Sequence, residues 1–500
     1  MSGPFPRRTF GVLLHPSSFP GRDGIGTLGA SARSFVDWLA ATGAGIWQIL
    51  PLTVNGKDDS PYFSSSAFAG NPWLIDLHDL HAQGLADDPD LPDAERDERI
   101  DFDDVRRHKL PRLWTAADRF LALPDHPWRA GFDEFVRHAD WLEGTCHFFA
   151  LKRDRPHAAW WEWPEPLRRR EPEAVASSQR RLADEIARWQ AVFYFFEIQW
   201  RAVKRLANDR GIRVLGDLPI YVAPDSADVW LHQDQFELDD DGRLPVQSGV
   251  PPDYFSVHGQ LWGNPLYRWD AMADDGYAWW LARLRRCIEL SDIVRIDHFR
   301  ALAAYWEVAG DAPDARDGRW VAGPSQPFMD AIVAEFPDRP IVAEDLGLLD
   351  DDVHRLRDDY ELPGMRVLQF AFDGDTDNMH LPHLYPEGCI AYTGTHDNDT
   401  AASWWAGVDD RTRQQTADYL GIPADADVDR AVWALIDAAI GSPAVVAVVP
   451  MQDLLVLGES ARMNVPSTTT GNWGWRMPPG SLTDELAATL HRLGERHHRC

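Results

Sequence analysis

The stretch Asp292–Phe299, DIVRIDHF, decides how this chain folds. An unalternating apolar run passes into charged residues at its end. A strand reads this way when both faces of its sheet are covered and its carboxyl end opens to solvent. Working outward, seven more runs share the character: Phe10–His15 (FGVLLH), Gly45–Pro51 (GIWQILP), Arg213–Pro219 (RVLGDLP), Pro340–Asp345 (PIVAED), Met365–Phe372 (MRVLQFAF), Cys389–His396 (CIAYTGTH) and Ala444–Val449 (AVVAVV). Helical stretches lie between them. Ser31–Ala41 puts Phe35, Trp38 and Leu39 on one face, with Gly43 as its cap. A longer stretch runs from about Ala183 to Arg210 and stops at Gly211. Eight such strands with helical connections predict an α/β fold, a (β/α)8 TIM barrel. An open doubly wound sheet is the alternative, but no Gly-x-Gly-x-x-Gly turn follows an early strand, and Gly21–Gly29 (GRDGIGTLG) lacks that spacing.

A single catalytic domain is expected over residues 1–500. The second and third runs stand too far apart for one barrel connection, so residues 80–204 are expected to form a mainly helical insertion. It opens with an acidic, polar surface segment, Gln83–Asp104. Residues 223–270 hold Gly249, Pro251, Pro252, Gly259, Gly263 and Pro265, which predicts an irregular loop over the active site rather than a helix.

The 500 residues carry 49 Lys and Arg against 79 Asp and Glu, a net charge of −30. That balance argues against nucleic acid or an anionic membrane as partner. No apolar run approaches the ~20 residues of a membrane span. Met1–Phe10 has Arg7 and Arg8 but no apolar stretch of signal-peptide length. Cys146, Cys287, Cys389 and Cys500 are scattered, which suggests neither a disulfide framework nor a thiolate zinc site. A soluble cytoplasmic protein is the expectation. The 23 Trp suit core packing, and collectively they also suit a cleft that stacks flat ligand faces such as sugar rings.

Three expected strands end in carboxylates: the fourth in Arg295-Ile296-Asp297-His298, the fifth in Glu344-Asp345, and the seventh in Thr395-His396-Asp397-Asn398-Asp399. One acid at a strand end is often a helix cap. Three at the ends of different barrel strands converge on one pocket. Such acids suit glycosyl transfer, where one carboxylate attacks the anomeric carbon and one carboxylic acid protonates the leaving oxygen. Arg295 and Asp297 share a strand face, and the guanidinium is expected to lower the Asp297 pKa and keep it an ionised nucleophile. Glu344 is expected to be the acid/base, its pKa raised by burial and a nearby anion. Asp397 is the candidate for holding sugar hydroxyls, with His298 and His396 adding hydrogen bonds. A metal site in which His396, Asp397 and Asp399 join Asp297 and Glu344 is the competing reading, though the helical zinc spacing and the Asp-rich calcium loop are both absent.

At these residues the chain also resembles a family. Arg295–Arg300 (RIDHFR), Val342–Gly347 (VAEDLG) and Tyr392–Thr400 (YTGTHDNDT) resemble the amylomaltases, the 4-α-glucanotransferases or disproportionating enzymes of glycoside hydrolase family 77. So do Ser60–Leu77, Gly216–Val222, Gly249–Tyr267 and Arg462–Arg476. The resemblance spans about Phe10 to Arg476, while residues 80–204 match mainly in position and composition. It implies Asp297 as nucleophile, Glu344 as acid/base and Asp397 as transition-state stabiliser. It implies that Arg295, His298 and His396 line the donor-sugar subsite, and that Tyr62, Asp217, Asp253, Gln260, Trp262 and Asn464 surround the substrate. The implied substrates are maltooligosaccharides and α-1,4-glucans, with no metal or organic cofactor and no obligate protein partner.

Two departures stand out. Pro466-Ser467-Thr468 replaces the usual Pro-Gly-Thr, so a backbone needing φ > 0 would be strained there. Ala301 follows Arg300 where Gly is common. The expected mechanism is a retaining double displacement, with transfer outrunning hydrolysis because Trp262 and Tyr62 stack the acceptor and cover the cleft. A retaining α-glucan hydrolase of the α-amylase type, a non-catalytic glucan-binding protein and a metal-dependent barrel hydrolase are the alternatives.

Overall fold

The computed structural model describes residues 4–88, 99–252, 257–347 and 349–500. Its strands are β1 (Thr9–Leu13), β2 (Ile46–Gln48), β3 (Arg213–Leu218), β4 (Val246–Val250), β5 (Gln260–Leu261), β6 (Ile293–Ile296), β7 (Ala304–Ala309), β8 (Gly318–Ala322), β9 (Ile341–Ala343), β10 (Gly364–Val367), β11 (Cys389–Tyr392) and β12 (Val446–Pro450). Eight form one parallel sheet in the order β10-β11-β12-β1-β2-β3-β6-β9, and each begins within one of the apolar runs or a residue or two from it. Nearly every residue in them is buried, as strands covered on both faces require. The two end strands meet where the Ala343 amide donates to Pro363 O at 2.9 Å. The sheet is thus a (β/α)8 barrel.

Asp345 completes that seam. Its Oδ1 accepts from the Met365 amide at 2.6 Å, and its Oδ2 takes Arg366 Nη1 at 3.4 Å and the Arg357 guanidinium. The side chain is fully buried. Gly364 is required beside it, since a Cβ there would lie 2.4 Å from Asp345 Oδ2.

Between β2 and β3 the chain is helical over Phe102–Leu121, Arg129–His138, Leu142–Asp154, Pro172–Arg181 and Ala183–Asp209, with shorter turns between. Lys109 fastens the first of these helices to the barrel. It is fully buried, and its Nζ donates to Asp23 Oδ2 at 3.0 Å, Trp73 O at 2.8 Å and Ile75 O at 2.6 Å. Those three bonds use all the hydrogens an ammonium has. Of the expected surface segment Gln83–Asp104, residues 89–98 lie outside the described residues.

The expectation for residues 223–270 needs correction. That segment holds a short helix, Ala227–Leu231, and the strands β4 and β5. These join β7 and β8 in a second, antiparallel sheet ordered β5-β4-β7-β8. Gly249 permits the pairing, since a Cβ there would lie 2.6 Å from Gln260 O. Ala301 shows no strain: it sits in the helical turn Phe299–Leu302, away from positive φ. Among the described residues no helix is long and apolar enough to cross a membrane.

Candidate active site

The carboxyl ends of β6 and β9 bring two acids together. The strands are in register with Arg295 beside Val342 and Ile296 beside Ala343, so the next pair is Asp297 beside Glu344. Backbone bonds carry the register on: Glu344 N donates to Ile296 O at 3.0 Å, and Phe299 N to Glu344 O at 3.2 Å. Side chains paired across neighbouring parallel strands, roughly 4.8 Å apart, share a face.

Arg295 organises the anions. Its Nη2 lies 2.8 Å from Asp297 Oδ1, and its Nη1 donates to Asp217 at 2.8 and 2.7 Å. Asp217 Oδ2 also accepts from the Tyr62 hydroxyl at 2.7 Å. The Asp217 side chain is fully sealed, so it faces Arg295 and not the groove. Tyr62 stacks on the His396 ring at 5.1 Å and 13°, with Trp473 tilted against both.

Arg295 does pull the Asp297 pKa down as expected, but the net shift runs the other way. Burial outweighs the guanidinium and pushes Asp297 up to about 6, with Asp217 and Asp397 adding to the rise. Glu344 is pushed higher, to about 8, chiefly by burial and then by the Asp297 charge against the pull of Arg295. Its oxygens accept from the amides of His298 at 2.7 Å and Leu346 at 2.9 Å. Near neutral pH one acid of the pair is ionised and the other carries a proton.

Asp397 lines the same groove as Asp297. Asn464 Nδ2 donates to its Oδ1 at 2.6 Å, and His396 Nε2 lies 3.4 Å from Oδ2. Arg462, not singled out in the sequence, holds the loop: Nη2 donates to Asp397 O at 2.9 Å and Nε to Asn464 O at 2.8 Å. Trp473 was also missed, although both lie inside the Arg462–Arg476 stretch. His298 packs edge-on to Trp262 at 4.7 Å. Burial drops the His298 pKa to about 3, so its ring is neutral. Trp262 Nε1 donates to Gln260 Oε1 at 3.1 Å.

Tyr62, Gln260, Trp262, Asp297, His396, Asp397 and Asn464 line one open groove. Arg295 and Asp217 lie behind it. Asp253 falls outside the described residues. Among the described residues no group of three or more His, Cys, Asp or Glu is placed to hold a metal ion. At the groove rim Ser467 has φ +66°, the left-handed backbone expected where glycine is replaced. Pro466 and Ser467 are the central residues of a turn closed by Thr468 N to Val465 O at 3.2 Å, the pattern of a type II turn.

The chain is similar along most of its length to known proteins. The family model described as 4-alpha-glucanotransferase, of glycoside hydrolase family 77, matches residues 14–483. The 4-alpha-glucanotransferase of Thermus thermophilus is 45% identical over 98% of this chain and 99% of its own. The chloroplastic/amyloplastic 4-alpha-glucanotransferase of Solanum tuberosum is 41% identical over 98% of this chain and 86% of its own. The amylomaltase of Streptococcus agalactiae, solved in complex with acarbose, is 36% identical and superposes with a TM-score of 0.94 over 99% of this chain and 100% of that one.

Proposed function

As this chain belongs to glycoside hydrolase family 77 and is an enzyme of the 4-alpha-glucanotransferase kind, we propose that it moves α-1,4-glucan segments by two displacements at Asp297. The donor is a maltooligosaccharide or longer glucan. The acceptor is the 4-hydroxyl of a second glucan or of glucose. The observation that carries this reading is the in-register pair of acids with unequal proton affinities.

Asp297, ionised and held by Arg295, attacks the anomeric carbon. Glu344, protonated, gives its proton to the leaving glycosidic oxygen, and the reducing-end fragment departs. The anionic Glu344 then takes the proton from the acceptor hydroxyl, which attacks the covalent glucosyl-enzyme. Two inversions give net retention. Retention calls for roughly 5–5.5 Å between the carboxyl groups, which fits acids on neighbouring strands. Asp397, steadied by Asn464 and Arg462, holds sugar hydroxyls as charge develops on the ring. His298 and His396 line the donor sugar, with His298 donating or accepting as a neutral ring. Tyr62 and Asp217 keep Arg295 and His396 in place, and Gln260 on β5 and Trp262 just after it face the substrate.

Transfer requires that an acceptor hydroxyl outcompete water, by positioning and by cover. Trp262, just after β5, and Trp473 over Tyr62 supply flat apolar surface for that. The test is maltotriose incubation followed by chromatography, with Asp297→Asn alongside. Glucose together with maltopentaose and longer chains is the expected result, lost in the variant. Glucose and maltose alone would make the enzyme a hydrolase and overturn the proposal.

A further inference from the structure

The groove does not end at the acids. It runs on to the helical insertion, where Trp161 forms part of the same lining. Trp161 stands 5.8 Å from Trp160 at 79°, so Trp160 meets it edge-on rather than covering its face. Its indole N–H has no hydrogen-bond partner among the described residues, and the side chain is partly exposed. Its neighbour is the opposite. Trp160 is fully buried, with Nε1 donating to Pro224 O at 2.8 Å and its amide to Asp225 Oδ1 at 3.2 Å. Asp225 is in turn held by Lys152 Nζ at 2.6 Å. One tryptophan of the pair is therefore an anchor tied to the loop after β3. The other is a rigid plate carried into the groove.

We propose that Trp161 is the stacking floor of a distal sugar subsite, which takes the far end of a long α-1,4-glucan whose reacting bond lies at Asp297. An aromatic plate matches the apolar face of a glucose ring, while a free N–H and the polar Asp225–Lys152 pair beside it suit ring hydroxyls. The insertion thereby becomes part of the substrate channel and sets a preference for chain length. A short donor spans only the subsites at the acids. A long one also reaches Trp161 and gains binding there. The inference rests on the groove being the glucan channel, as proposed above.

The experiment compares kcat/KM for a long maltodextrin with kcat/KM for maltotriose, each ratio taken within one variant so that any loss of folded enzyme cancels. Trp161→Ala is expected to lower the ratio about threefold to tenfold, the worth of one aromatic contact, through KM more than kcat. Trp161→Phe keeps a ring and is expected to restore most of it. A ratio unchanged in Trp161→Ala, or a fall that phenylalanine does not repair, overturns the distal subsite. Failure of the wild type to lengthen either substrate would instead overturn the transferase reading, and this inference with it.

Discussion

The backbone amide of His298 donates to Oε2 of Glu344 at 2.7 Å. His298 follows Asp297 directly and is left-handed, with φ +51°. The peptide beside one acid thus holds the carboxyl of the other. Amide donors favour an ionised carboxylate, yet burial and the Asp297 charge still raise Glu344 to about 8. A bell-shaped pH profile of kcat/KM follows. Activity rises as Asp297 ionises through about pH 6 and falls as Glu344 loses its proton through about pH 8. A profile flat from pH 5 to 9 would remove the acid/base assignment.

Arg295 is buried, and Asp217 is one of its two anionic partners. Asp217→Ala is expected to cost about 3–5 kcal/mol in urea unfolding and to lower kcat, because a buried guanidinium loses a counter-charge. Tyr62→Phe removes only the hydroxyl bond to that carboxylate and is expected to cost about 1.5–3 kcal/mol. Equal losses from the two substitutions would mean that Asp217 does not hold the cation.

Trp262 lines the groove and meets His298 edge-on at 4.7 Å. Trp262→Ala is expected to raise the ratio of hydrolysis to transfer about threefold or more, because water gains access where the indole stood. Reducing-end release set against chain-length redistribution gives the ratio. An unchanged value contradicts the role.

Ser467 holds a backbone that favours glycine. Ser467→Val places a β-branched side chain at positive φ and is expected to cost about 1–3 kcal/mol locally, speeding limited proteolysis of the 465–472 loop. Ser467→Gly is expected to be cut no faster than wild type. Faster cutting of the glycine variant would show that the serine is not strained.

The eight barrel strands were legible because burial on both faces leaves an unbroken apolar run, as in Ile293–Ile296. β7 and β8 were not, because AYWEVA and GRWVA mix polar with apolar residues on a half-exposed sheet. β4 and β5 were hidden by glycines and prolines that read as loop. The catalytic candidates were legible from their places at strand ends. Arg462 was not, since its partners are carbonyl oxygens, and a guanidinium bound to backbone leaves no pattern in side-chain types. The direction of the Asp297 shift was misjudged because the sequence displays its neighbour Arg295 but not the depth at which both sit.

The seam between β9 and β10 makes Glu344 and Asp345 adjacent acids with unrelated duties. One is the proposed acid/base, partly exposed. The other is the rivet of the cylinder, fully buried between Met365, Arg357 and Arg366. A substitution screen scored by product alone would rank them together. Thermal melting is expected to separate them: on the proposed assignment, loss at Glu344 leaves a folded, silent enzyme, whereas loss at Asp345 opens the wall that carries the acid.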